Sequence, residues 1–436
     1  MKLTGLEIAI AGAGIGGLSL AALLARHGAN VTIYDQMAAP QPVGSGFVLQ
    51  PTGSAVLAAM GLLDQVEQRG ARIRRMRGKL SATGRTVLDV GYRNGASGIA
   101  IQRVALFDLL LDAAVASGVS FETASRVTAF EPGARPRLKL GNGKASAASD
   151  LVIDAMGASS PIGYKSSTEL DYGALWATVP WDASGVFYSD ELEQRYHRAS
   201  QMAGVLPVGT AKDDAAPMAT FFWSIRNKDV AAWRDAGREA WIEAVHRFWP
   251  EAAHFAASAE PVHARYRHHT RVPLAGQNVV KIGDAWHATS PQLGQGANMA
   301  LLDAASLCTA MIREATVGDA ISRHLRQRQI HIRFYQLLSR VLTPFYQSDS
   351  KILPMSRDLM IGPATKLPFL RSLITTLVTG ELLDPVGRIG LEWLPIANRP
   401  EAIRRRWYSR VPRTAAGTTS SPPTSAMRRS RRVPSR

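Results

Sequence analysis

LEIAIAGAGIGGLSLAALLARHGANVTIYD, residues 6–35, decides the fold. The apolar run 6–12 reads as a buried strand. Helical periodicity follows from Ile15 to His27, Gly28 is a helix stop, and NVTIYD (30–35) reads as a second buried strand. This is one βαβ unit. Gly12, Gly14 and Gly17 stand in G-x-G-x-x-G spacing at the strand–helix junction, and Asp35 closes the next strand. Glycines permit a tight turn and close approach of backbone to a pyrophosphate. The helix start offers free N–H groups and the positive end of a dipole. A carboxylate at the end of the second strand can accept hydrogen bonds from ribose hydroxyls. The junction reads as a dinucleotide site, the alternative being a tight turn with no ligand. Residues 8–25 carry no charge. Their length alone fits a leader or a membrane span, but the glycines fit the phosphate loop better. No other run is long and apolar enough to span a bilayer, so a cytoplasmic protein is expected.

Composition narrows the remaining classes. The chain has 436 residues, 46% of them hydrophobic, enough for two or more domains. The single cysteine, Cys308, excludes a disulfide framework and a cysteine metal cluster, and its apolar neighbours make it a buried core residue; no metal site is expected. The net charge of +16 is concentrated in a tail: residues 402–436 hold ten Arg and no Asp, Glu or Lys, and without them the charge is +6. The basicity is thus largely a tail and not a patch on the folded body; a solvated tail with no specific partner is preferred over a nucleic-acid or anionic-membrane role for it, and no specific nucleic-acid partner is expected. The Ser/Thr/Pro/Arg-rich stretch 413–436 has the composition of disorder.

A second motif separates NAD from FAD. GDAWHATSPQLGQGAN, residues 283–298, follows a strand and opens a helix. Asp284 at the strand end can bind a polyol hydroxyl. The Gly294–Gly296 loop exposes N–H groups at a helix start, suited to the negative charge of a reduced flavin. NAD has no polyol and forms no such anionic ring.

With these two motifs the chain, from about residue 5 to 345, resembles the class A flavoprotein monooxygenases, the para-hydroxybenzoate hydroxylase-like family. The second motif matches the family pattern G-D-A-x-H-x-x-x-P-x-x-G-x-G-x-N at each fixed position. GSGFVLQPTG (44–53) matches its Gly-rich turn and helix, and IQRVALFDLLL its helix-opening Arg. The resemblance implies an α/β fold: a Rossmann-like FAD-binding domain of the GR2 type (1–70, 97–163 and 271–345), an inserted mostly β substrate domain (71–96 and 164–270), a helical C-terminal region (346–412) and the basic tail. It implies FAD held by Gly12, Gly14, Ile15, Gly16, Gly17, Asp35, Arg103 and Asp284, with Pro291, Gly294, Gly296 and Asn298 along the isoalloxazine. It implies NADPH or NADH as reductant. It further implies transfer of one O2-derived oxygen atom, by way of a flavin C4a-hydroperoxide, to an aromatic or other electron-rich apolar small molecule.

His287 has two readings, a hydrogen-bonded residue fixing the flavin loop or an acid–base catalyst, and the first is preferred. Phe221, Trp223, Tyr266 and His268 are candidate substrate-pocket residues, although aromatics at alternating positions also build cores. The third family motif departs from its pattern: Met156 and Gly163 stand where the family has Asp and Arg, and Lys165 is a possible substitute for the lost charge. Two other functions therefore stay open, a flavoprotein oxidoreductase that inserts no oxygen and a degenerate FAD-binding protein. The apolar segment 359–383 can cover its own core, pair with a second copy or touch a membrane. Both monomer and homodimer are compatible with the sequence.

Overall fold

The computed structural model of the chain describes residues 1–39, 45–92, 95–162, 168–212, 215–271, 278–364 and 367–394. The βαβ unit is Glu7–Ala11, Ile15–Arg26 and Asn30–Tyr34. Its strands lie in the middle of a five-stranded parallel sheet in the spatial order Val279–Lys281, Leu151–Asp154, Glu7–Ala11, Asn30–Tyr34, Ser120–Glu122. Side chains alternate across a strand, and the first strand separates two layers accordingly. Ile8 and Ile10 join the core formed with helices Ile15–Arg26, Arg103–Ala116 and Gly296–Arg313. Ala9 and Ala11 face the hairpin Val127–Glu131/Arg137–Leu140.

A short antiparallel sheet of Phe47–Leu49, Gly98–Ile101 and Ala71–Ile73 adjoins this layer. Arg75–Leu80 and Thr86–Gly91 instead join a seven-stranded sheet with Glu191–His197, Gln201–Pro207, Met218–Arg226, Thr168–Pro180 and Val262–His268. One face of that sheet is covered by helices Val230–Phe248 and Ala253–Ser258. The helix Val230–Phe248 includes a break at Gly237, whose φ of 82° departs from helix. The other face turns toward the first layer, where the amide of Gly46 donates to Thr220 Oγ1 at 2.9 Å.

Among the described residues beyond 316 the chain is helical, in Val317–Tyr346 and, within the expected C-terminal region, in Ile352–Ala364, Pro368–Val378 and Pro385–Ile389. Pro344 is accommodated in the last turn of the thirty-residue helix, and Pro368 starts one, its missing N–H being unneeded there. Among the described residues, no helix is long and apolar enough to cross a membrane. Gly163, Lys165 and the tail 413–436 lie outside the described residues.

Candidate active site

The first glycine loop is built by close contacts. Gly12 has φ 106°, and a Cβ there would lie 2.6 Å from the Ala155 carbonyl oxygen. A Cβ on Gly17 would lie 2.1 Å from the Gly12 carbonyl oxygen. Gly14 differs: a Cβ there meets no protein atom within 4 Å, so this residue borders an open groove. Ile15 is buried and Gly16 lies against Ala300 and Ile282. The helix carries no side-chain cap and no acidic residue in its first turn, leaving its first N–H groups available to an anion. Asp35 braces this loop: one carboxylate oxygen accepts from Ala13 N at 2.8 Å, the other from Met37 N at 2.9 Å. Each oxygen retains a lone pair for a ribose hydroxyl.

The second motif approaches the same groove. Gly283, with φ 56°, turns the chain so that the Asp284 side chain is exposed at the floor of the cleft. The surrounding protein desolvates it and raises its pKa, against the charges of His287 and Arg103. Arg103 begins its helix as expected; its guanidinium lies over the Phe47 ring, 5.2 Å from the centroid, and its Nε is buried without a protein partner. Burial lowers its pKa, with Asp284 opposing. A buried donor without a partner beside an accessible carboxylate fits a ligand that has both anionic and hydroxyl groups. Pro291–Leu293 form a single turn, Gly294 takes the left-handed conformation at φ 61°, and Gly296 opens the long helix, again without an acidic residue in its first turn. The Asn298 side chain is committed to the protein. Its Oδ1 accepts from Gln50 N at 2.8 Å and its Nδ2 donates to Gly294 O at 3.1 Å, clamping the Gly294 loop to the strand–helix junction at Gln50. These residues fit FAD: open backbone at Gly14, acceptors at Asp35 and Asp284, a free donor at Arg103 and N–H groups at Gly296.

His287 is buried, and its Nε2 lies 2.6 Å from Asp303 Oδ2. Asp303 also accepts from Gly283 N at 2.8 Å and from Arg328 Nε at 2.7 Å. Burial alone would raise the Asp303 pKa; the neighbouring His287 and Arg328 outweigh it and hold the carboxyl well below the usual range. His287 thus occupies the position of a loop-fixing residue.

The sequence reading missed a carboxylate in the third motif. Asp154 ends the strand Leu151–Asp154 fully buried, 2.8 Å from Lys281 Nζ on the neighbouring strand. Ser160 Oγ donates to it at 2.6 Å, and Lys281 also donates to Ile162 O at 2.6 Å. The turn is held from beneath by this pair, while Met156 packs with Val152 and Ile162. The signal was present: an Asp and a Lys at facing positions of two otherwise apolar strands.

The substrate-pocket expectation needs correcting for two residues. Phe221 is 1% exposed and packs against Trp241 and Phe255, and Trp223 lies edge-on to Phe248. Both point into the outer core, because odd positions of Met218–Arg226 face the covering helices. Even positions face inward: Phe222 lies 4.9 Å from the Trp176 ring. Trp176 Nε1 donates to the Tyr266 hydroxyl at 2.7 Å, placing Tyr266 on this inner face. His268 is two residues on, 6% exposed, with neither ring nitrogen hydrogen-bonded. Burial, then the charges of Arg340 and His269, lowers its pKa. His269 Nε2 meets Asp284 O at 2.8 Å. Cys308 is fully buried, and burial raises its pKa.

Comparison with known proteins agrees with this geometry. The FAD binding domain family matches residues 5–328. An FAD-dependent monooxygenase, pynG, of Aspergillus niger is 27% identical over 378 residues, covering 74% of this chain and 84% of that protein. The 3-amino-4-hydroxybenzoate 2-monooxygenase of Streptomyces cremeus is 28% identical over 330 residues, covering 69% and 77%. Among solved structures, Klebsiella pneumoniae HpxO complexed with FAD and uric acid superposes with a TM-score of 0.73 at 21% identity, covering 87% of this chain and 99% of that one. The chain belongs to the FAD binding domain family, as a class A flavoprotein: it is an FAD-dependent monooxygenase.

Proposed function

We propose that the enzyme hydroxylates a neutral aromatic small molecule, with NADPH or NADH as reductant. The observation that carries this reading is the inner face of the seven-stranded sheet. Trp176, Met202 and Phe222 give it an apolar surface, and Tyr266 and His268 give it polar atoms that can bind a hydroxyl or carbonyl. Arg226, at the end of that face, is already paired with Asp349. Among the described residues, no other strand side chain on this face is a cation, so a benzoate-type carboxylate would find counter-ions only on helices, at Arg357 over the Tyr196 ring and at Arg340 near His268.

FAD, when bound, supplies the redox chemistry: it accepts a hydride and activates O2. The chain's own residues would hold and orient. Gly14 and the helix start at Ile15 suit the pyrophosphate, Asp35 the ribose, Asp284 the ribityl hydroxyls and Arg103 an anionic or carbonyl oxygen. The amides at the start of Gly296–Arg313 suit negative charge on the pyrimidine ring. Tyr266, with its oxygen occupied by Trp176, keeps its O–H to donate to substrate. The sheet and the C-terminal helices together exclude water.

The test is substrate-stimulated NAD(P)H oxidation across phenols, quinolones and benzoates under isotopically labelled O2, with product mass measured. Labelled product from neutral rings supports the reading. NAD(P)H consumption with unlabelled product would favour an oxidoreductase without oxygen insertion, and a preference for benzoates would overturn the neutral-substrate assignment.

A further inference from the structure

The long helix Val317–Tyr346 presents two different faces. Its inner side is buried and polar, with Arg328, His331 and Ser339 facing the flavin loop's supports. Its outer side carries Arg326, Arg333 and Arg340, all exposed and spaced seven residues apart. Ile330 and Leu337 repeat at the same spacing, Val341 follows, and each is more than half exposed. Seven residues make nearly two helical turns, so these side chains form one stripe about 22 Å long. Residues 320–348 contain no Asp or Glu. Among the described residues, none of the three arginines forms an ion pair.

We propose that this stripe docks on the surface of an anionic phospholipid bilayer, without crossing it. Apolar side chains alternating with arginines whose stems can snorkel are the chemistry of an interfacial helix. Charge decides among occupants. A second copy related by a two-fold axis would bring its arginine stripe against this one. The chain's own C-terminal tail, with ten Arg and no acidic residue from 402 to 436, would be repelled in the same way. An anionic bilayer attracts both, and an apolar face plus a polybasic segment meets the two-signal requirement for stable attachment. The neighbouring helices add exposed apolar side chains, Ile352, Met355 and Leu359 on one and Phe369 and Leu373 on the next. Membrane contact is thereby placed on 326–341, with part of the 359–383 segment as a contributor.

The experiment is flotation of the full-length, FAD-loaded protein with phosphatidylcholine vesicles and with vesicles containing about 30% phosphatidylserine. Binding to the anionic vesicles alone, weakened by salt, is expected. Arg326→Gln, Arg333→Gln and Arg340→Gln combined should lower the partition coefficient roughly tenfold or more. Ile330→Ser with Leu337→Ser should lower it independently. Retained FAD absorbance reports that each variant is folded, and because the stripe lies outside the cofactor site, this readout does not depend on the substrate assignment. Failure of the wild-type chain to float, equal binding to neutral vesicles, or binding unchanged in both variants (the tail acting alone) would each overturn the proposal.

Discussion

Asp154 and Lys281 show how one pair can reshape a motif. Both are buried, so each charge depends on the other for its solvation, and burial lowers the Lys281 pKa while Asp154 opposes the shift. Asp154→Ala should destabilise the fold by about 3–5 kcal/mol, because it leaves a buried ammonium unpaired. Asp154→Leu combined with Lys281→Met should recover most of that loss; urea denaturation of the three variants measures both effects. Met156 has a simpler expected role. Its side chain packs, and its amide bonds to Asp154 Oδ1 at 3.2 Å. Met156→Asp should therefore leave the rate of flavin reduction by NADPH or NADH unchanged in stopped-flow measurement, while costing about 1 kcal/mol of stability from the lost packing and the added like charge. A faster reduction would show that the missing carboxylate had limited the step.

At the scale of an element, the strand Met218–Arg226 sends alternate side chains into two different clusters. Phe221→Ala should open a cavity in the outer core and cost about 3–5 kcal/mol, with FAD affinity unchanged at permissive temperature. Phe222→Ala, one residue on, should also lose core packing and, unlike Phe221→Ala, raise KM if the inner face beside Trp176 is the substrate face proposed above. The two variants compared by thermal denaturation and steady-state kinetics test the facing directly. The sequence makes the strand and its period of two legible, but not which face is which. That requires knowing that the helix Val230–Phe248 returns to one side and the first layer, at Gly46, lies on the other. The helix starts at Ile15 and Gly296 were legible in full, because glycine spacing and the lack of a cap are local properties.

At the scale of the whole molecule, a buried polar chain runs from the flavin loop to the C-terminal region. Arg328 donates to His331 Nδ1 at 3.1 Å, so the ring must be neutral there, with Nε2–H toward Gly380 O at 3.2 Å. Gln295 Nε2 donates to Val378 O at 2.6 Å, tying the same segment to the loop itself. Burial lowers the His331 pKa to about 3 and that of His324 to about 4, from the ordinary 6.5. Between those values and 6.5 the unfolded chain binds protons that the folded chain refuses. This stabilising contribution is therefore complete above about pH 6.5 and is lost as pH falls toward about 4 for His324 and about 3 for His331, by up to about 1.4 kcal/mol per pH unit for each histidine. Melting temperature against pH should show this slope, and His331→Gln should make it shallower.

The sequence by itself determined the parallel dinucleotide fold, the cofactor and the family, because those depend on glycines, strand ends and helix starts that are close in the chain. It also placed Asp35, Arg103 and Asp284 at the ends of their elements. Only the tertiary structure decided that Asn298 is a clamp, that His287 faces Asp303, and that Asp154 pairs with Lys281. It also decided that Phe221 and Trp223 belong to the outer core under the helices while Phe222 belongs to a separate cluster on the inner face. Each of those facts depends on partners between 16 and 248 residues away or on which side of a sheet is covered, and local pattern carries neither.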